Sequence, residues 1–233
     1  DPSIRKTFNI PNEIGFDGNV KVSGNEYAST FTATQGGGNL RGHVAFDANK
    51  MAYNAQLTAN SLPLQNFLPH QNLHPFTGSI EAKGEGVDFL SPNTRLMAKA
   101  RINKFNYGEY NLNDIDATAT IRNGHIVADV DSRNPLLQGK FTIDALTGGK
   151  NVRATLTGDL HRVDLYNLRF TEQPLVISMC THVDVSTDLK QTHQVRGTLS
   201  DITILNNEKY YQPENIDIDM LTSRDTTHAM VYS

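Results

Sequence analysis

The stretch from Tyr107 to Asp131, YGEYNLNDIDATATIRNGHIVADVD, constrains the fold more than any other part of the chain. Asn123-Gly124 supplies the two positive-φ positions of a type I′ turn, and alternating residues flank it on both sides, which predicts a β-hairpin. A two-residue turn sets Arg122 opposite His125, Ile121 opposite Ile126, Ala119 opposite Ala128 and Ala117 opposite Val130. Successive strand residues point to opposite faces, so Ile115, Ala117, Ala119, Ile121, Ile126, Ala128 and Val130 share one apolar face. Asp116, Thr118, Thr120, Arg122, Asp129 and Asp131 take the other, with Val127 as the exception. The question of function becomes what covers the apolar side.

The rest of the chain repeats this design. Tyr27, Ser29, Phe31 and Ala33 alternate with polar neighbours until Gly36-Gly37-Gly38 breaks the run, and Leu40, Gly42, Val44 and Phe46 resume it. Met51, Tyr53, Ala55, Leu57 and Ala59 follow. In the segment from Leu62 to Leu68, Pro63 and the closing Pro69 leave room for a short helical turn or corner. Strands are expected again at Thr77 to Lys83, with Ile80, Ala82 and Gly84 on one face, and at Arg95 to Asn103, with Leu96, Ala98, Ala100 and Ile102 on one face. Leu137 to Ile143, Val152 to Thr157, Leu175 to Val185 and Ile216 to Met220 continue the series. Between them, Leu160, Val163 and Asn167 suggest one amphipathic turn within Leu160 to Phe170.

Two pairs of segments match in the same order about 100 residues apart, which suggests duplicated β-modules over about 40–145 and 146–233 within one continuous segment. Gln56 to Leu62 resembles Thr155 to Leu160, and Tyr110 to Asp116 resembles Tyr211 to Asp217. The first residue is Asp1 and the last residues, HAMVYS, read as strand, so the expectation is a piece of a longer protein. Such a piece leaves strand edges unpaired, and self-association is expected through strands near 8–22 or 216–232.

About ten to fourteen one-sided strands are present, yet no segment holds the about 10 to 12 residues of helical periodicity that a covering helix needs. The apolar faces can pack on one another in a sandwich or closed barrel, or they can line an open trough that holds a guest. Small residues recur on them (Gly42, Ala55, Ala82, Ala98, Ala100, Ala117, Ala119, Ala128) and the chain has no Trp, which favours the lined groove over a filled core. A membrane-spanning barrel needs strands of about 9 to 11 residues and aromatic girdles, whereas the alternating runs are expected to be about 6 to 8 residues long with charges on the polar side. With a net charge of -4, a mean hydropathy of -0.43 and no basic block, nucleic acid is a poor partner.

The pattern QLTANSLPLQNFLP, then TGSIEAKGEGVD, then YGEYNLNDIDATATIRNGHIVADVDSRNPLLQGKFTIDAL and a second, degraded round, resembles the AsmA-like superfamily. Within it the chain is most similar to an internal segment of the TamB-type (translocation and assembly module) proteins of Bacteroidetes, over about residues 40–233. The resemblance implies an all-β fold: a long curved antiparallel sheet forming an open, taco-like apolar groove, with short helical corners. It also implies a periplasmic protein of the cell envelope, anchored at the inner membrane through other parts of its chain. The implied function is phospholipid transport and outer-membrane biogenesis. The implied partners are phospholipid, an outer-membrane assembly protein of the Omp85 type and flanking β-modules of the same chain. On that reading acyl chains lie along Leu96, Ala98, Ala100, Ile102, Ile115, Ala117, Ala119, Ile121, Ile126, Ala128 and Val130.

No nucleophile elbow, P-loop, HExxH or paired CxxC is present, so neither an enzyme nor a cofactor is expected. His70 and His74 are four apart but lie between Pro69 and Pro75, which favours a loop over a metal-binding helix. Asp116, Asp129 and Asp131 fall on the polar face, where solvation accounts for them better than calcium. The single cysteine, Cys180, is a bystander thiol on the less apolar face. The alternative function is a β-sandwich adhesin or glycan-binding module, for which Tyr107, Tyr110, Tyr210 and Tyr211 are the available aromatic platforms.

Overall fold

The computed structural model of the chain describes residues 9, 11–147, 151–224 and 226–233. Strands make up 70% of it and helix 2%, so backbone hydrogen bonding is almost entirely between strands. The elements are β1 (Gly15–Ser23), β2 (Glu26–Gln35), β3 (Gly38–Asp47), β4 (Ala52–Pro63), α1 (Leu64–Phe67), β5 (Pro75–Glu85), β6 (Arg95–Lys104), β7 (Asn106–Tyr107), β8 (Tyr110–Asn111) and β9 (Ile115–Arg122). After them come β10 (His125–Asn134), β11 (Leu137–Leu146), β12 (Val152–Asp164), β13 (Leu175–Thr187), β14 (Thr192–Asn206), β15 (Lys209–Tyr211), β16 (Ile216–Ser223) and β17 (Thr226–Tyr232).

Fifteen strands share one antiparallel sheet, not closed into a barrel, rather than dividing between two facing sheets. Hydrogen-bonded neighbours follow chain order from β1 to β6, continue from β9 to β14, and end with β16 and β17; β15 pairs with β14, and β7 with β8 forms a separate ribbon. The chain divides into two compact units, Asp1–Val87 with Leu96–Asp116, and Asp88–Arg95 with Ala117–Ser233.

Local chemistry explains the turns. Asn123 and Gly124 have φ of 54° and 72°, both left-handed as a type I′ hairpin requires, and Gly36 and Gly37 do the same between β2 and β3 at 54° and 83°. Met51 sits in the turn before β4 with φ 51°, not on the strand face that its spacing suggested.

A second correction concerns Leu160 to Phe170, where an amphipathic turn was expected. The strand β12 runs on to Asp164 with Leu160 and Val163 both buried on it, and the turn follows only over 165–169, where the Leu168 amide donates to the Asp164 carbonyl at 2.9 Å. Leu160 pairs with Met179 and Val163 with Ile177, so three residues on β12 span two on β13. This β-bulge puts residues three apart on one face, a spacing that in the sequence looks helical. The end of β4 has the same device: Ala59 pairs with Gly78 and Leu62 with Phe76, and both Ala59 and Leu62 are buried.

The elements recur. β9 and β16 each have eight residues and start 101 residues apart, and the strands with the bulge, β4 and β12, end at Pro63 and Asp164, also 101 apart. The pairs β2 with β3 and β10 with β11 are all ten residues long, and each strand begins 99 residues before its counterpart.

Candidate functional site

In the second unit, pairing registers carry the apolar residues across the sheet in rows. Ala128 is opposite Ile143, which is opposite Leu156, then Val183, Gly197 and Ile218. The next row runs Val130, Phe141, Gly158, Thr181, Leu199 and Ile216, and the one on the other side Ile126, Ala145, Ala154, Val185, Val195 and Met220. Residues directly opposite share a face, so these rows form one apolar surface.

The rows between them are polar and satisfied by one another. Thr142 donates to Asp129 at 2.7 Å, Thr155 to Asp184 at 2.7 Å and Thr198 to Asp217 at 2.6 Å, while Arg196 reaches Asp219 at 3.2 Å and Lys140 reaches Asp131 at 3.6 Å. The hydrogen bond from Thr155, with His182 beside it, holds the Asp184 carboxyl below its ordinary range despite partial desolvation. Cys180 lies on this face opposite Asp159 and Ser200, and burial together with Asp159 and Asp201 pushes its thiol up, away from the reactive thiolate. Among the described residues no three His, Cys, Asp or Glu side chains are placed to hold a metal, and no helix is long and apolar enough to cross a membrane.

The first unit has the same two-sided plan. One row runs Phe16, Ala33, Leu40, Ala59 and Gly78, and its neighbour Gly18, Phe31, Gly42, Leu57 and Ile80. Phe16 and Phe31 stack with ring centroids 5.7 Å apart, and the Phe31 ring covers Gly42 so closely that a Cβ there would lie 2.5 Å from its Cζ. Glycine thus makes room for a ring lying flat on the sheet. On the polar side Arg101 pairs with Asp116 at 2.7 Å.

The residues expected to touch acyl chains fall into two sets. Leu96, Ala98, Ala100 and Ile102 are half-buried on β6, where Met97, Lys99 and Arg101 are exposed, and Ile115 is half-buried in the same unit. In the second unit Ala117, Ala119, Ile126, Ala128 and Val130 are half-buried and Ile121 is buried. The rows add residues that the expected set lacked, chiefly Ile143, Leu156, Val183 and Ile218 in the second unit and Phe31 and Leu57 in the first. Their own alternation announced the face; only the register shows that they continue it.

The side chains of these rows are mostly half-buried, and Phe16, Ile80 and Ile143 among them are exposed. Seven apolar residues are buried among those described, against twenty-five large apolar side chains that are exposed. A closed domain of this length buries far more. Compared with protein-family models, curated proteins and solved structures, the chain matches none.

Proposed function

We propose that the apolar rows hold the acyl chains of phospholipid, and that the chain is a β-groove segment of a lipid-transfer protein. The observation that carries this reading is the continuous apolar surface, row upon row, with seven buried apolar residues among those described. A surface of this kind is costly in water at about 25 cal/mol per Å² of apolar area, and an acyl chain laid along it recovers about 0.8 kcal/mol for each buried methylene. The polar rows, paired among themselves, keep the other face soluble. The resemblance to AsmA-like, TamB-type proteins supplies the setting: a periplasmic span anchored at the inner membrane, outer-membrane biogenesis, flanking β-modules of the same chain and an Omp85-type partner.

The test is lipid content. Native mass spectrometry and solvent extraction of the purified chain are expected to find copurified phospholipid. Ala119→Asp puts a carboxylate among the apolar rows. If the face is open to a guest, the variant stays folded and loses its lipid. If the face is ordinary core, the buried charge unfolds the protein. Lipid-free wild-type protein, or an insoluble Ala119→Asp variant, overturns the reading.

A further inference from the structure

The loop between β1 and β2 has two residues, Gly24 and Asn25, and Ser23 pairs with Glu26 across it. A closing pair of this kind exchanges its backbone hydrogen bonds and the pattern alternates from there, so Lys21, Asn19 and Asp17 also turn their amides and carbonyls to β2. The side chain of Ser29 on β2 fits this, donating to the Asn19 carbonyl at 3.0 Å. The amides and carbonyls of Phe16, Gly18, Val20 and Val22 therefore face the open edge, where no strand lies among the described residues. Phe16, Val20 and Val22 are 62%, 66% and 61% exposed there.

The sequence of this strand, GFDGNVKVS, complements itself. Laid antiparallel on a second copy about Asn19, it sets Phe16 opposite Val22, Asp17 opposite Lys21 and Gly18 opposite Val20, each pair twice. The edge-facing residues then meet one another, and the pairs Phe16–Val22 and Gly18–Val20 exchange about eight backbone hydrogen bonds in all. Asp17 and Lys21 fall at the non-hydrogen-bonded positions, where Cα atoms are about 4.5 Å apart and side chains are closest. Within the chain Asp17 is opposite Thr32 and Lys21 opposite Ala28, so neither has its counter-charge across the hairpin. An edge lysine ordinarily turns a further strand away. In this register it meets a carboxylate instead. Shifting by two residues sets Lys21 opposite Gly15 or Asn19, and the other edge strand, TTHAMVY, offers no carboxylate, lysine or arginine. Pairing β1 on β1 about Asn19 is thus the arrangement that satisfies both charges. We propose that two copies of the protein join edge to edge through β1, as an isologous dimer about a two-fold axis at Asn19. Main-chain hydrogen bonds supply the affinity and the charges fix the register. Opposite residues share a face, so Phe16 of one copy lies beside Val22 of the other and the apolar side continues across the junction. The pairing holds whatever that side binds.

Sedimentation velocity and light scattering of the whole chain carrying Val231→Lys, which blocks the other edge of the sheet, test this. That parent is expected to be a dimer. Asp17→Lys brings lysine against lysine at both charged contacts and Lys21→Asp brings aspartate against aspartate, and each change alone is expected to raise the dissociation constant at least about tenfold. Mixed in equal amounts, the two variants are complementary at both contacts and are expected to form a one-to-one heterodimer with the parent's affinity, which also shows that each is folded. The double variant Asp17→Lys, Lys21→Asp exchanges the charges and restores the homodimer. Copurified phospholipid, which tests the acyl-chain reading separately, is expected to be the same in every one of these proteins. A parent that stays monomeric at high concentration, single variants that dimerise as the parent does, or variants that fail to combine when mixed overturns the proposal.

Discussion

Asp164 and Asp188 show how single carboxylates hold this sheet at its corners. Burial pushes the Asp164 carboxyl up, but hydrogen bonds from the Asn167 side chain and amide and from Arg162 outweigh it and leave it below the ordinary value. The amides of Thr192, Lys190 and Gln191 hold Asp188 at about 2. A carboxyl whose folded value is depressed contributes stability that is complete above its unfolded value, 3.8, and is lost as pH falls through the folded one. The urea midpoint is therefore expected to fall as pH drops from about 4 to about 2, and less steeply in Asp188→Asn, which has no such proton to gain. Glycines give a second contrast. A Cβ on Gly139 would meet the Asp159 carbonyl oxygen, which belongs to the neighbouring strand, whereas one on Gly42 would meet the movable ends of Phe31 and Leu57. Gly139→Ala is expected to cost about 3 kcal/mol and Gly42→Ala about 1 kcal/mol, read from denaturant unfolding.

At the level of elements, what the sequence announced was what depends on near neighbours. The Asn123-Gly124 hairpin, the corner at Pro63 and the alternation on β6, β9 and β10 are all local chemistry. The bulges were not legible, because an extra residue on β12 exists only relative to Met179 and Ile177 on β13. The apolar face was half legible for the same reason: each strand showed its own apolar side, but the rows from Ala128 to Ile218 depend on five registers. Ala128, opposite the 40% exposed Ile143, tests whether anything covers this face. Ala128→Leu is expected to change stability by less than about 1 kcal/mol, where a close-packed core would lose about 1 to 3 kcal/mol, measured by thermal or urea unfolding.

For the molecule as a whole, the sheet has two edges. Every residue of β1 and of β17 is exposed, and among the described residues each of these strands has one hydrogen-bonded neighbour. Residues 8 and 10 of the edge expected near 8–22 lie outside the described residues. Bare strand edges recruit other strands. Sedimentation velocity is expected to show concentration-dependent self-association, reduced by Val20→Lys and Val231→Lys, and a monodisperse monomer at high concentration would contradict it. The order of strands along the sheet also has a consequence for growth. Because almost every strand pairs with the one made just before it, a strand finds its place as soon as it emerges, and the finished part never has to open to admit the next. Six strands set about 4.8 Å apart add about 29 Å of sheet. Reach is then a quantity that heredity can change in whole steps: copying or dropping one round of about a hundred codons lengthens or shortens the protein and leaves every remaining pairing as it was.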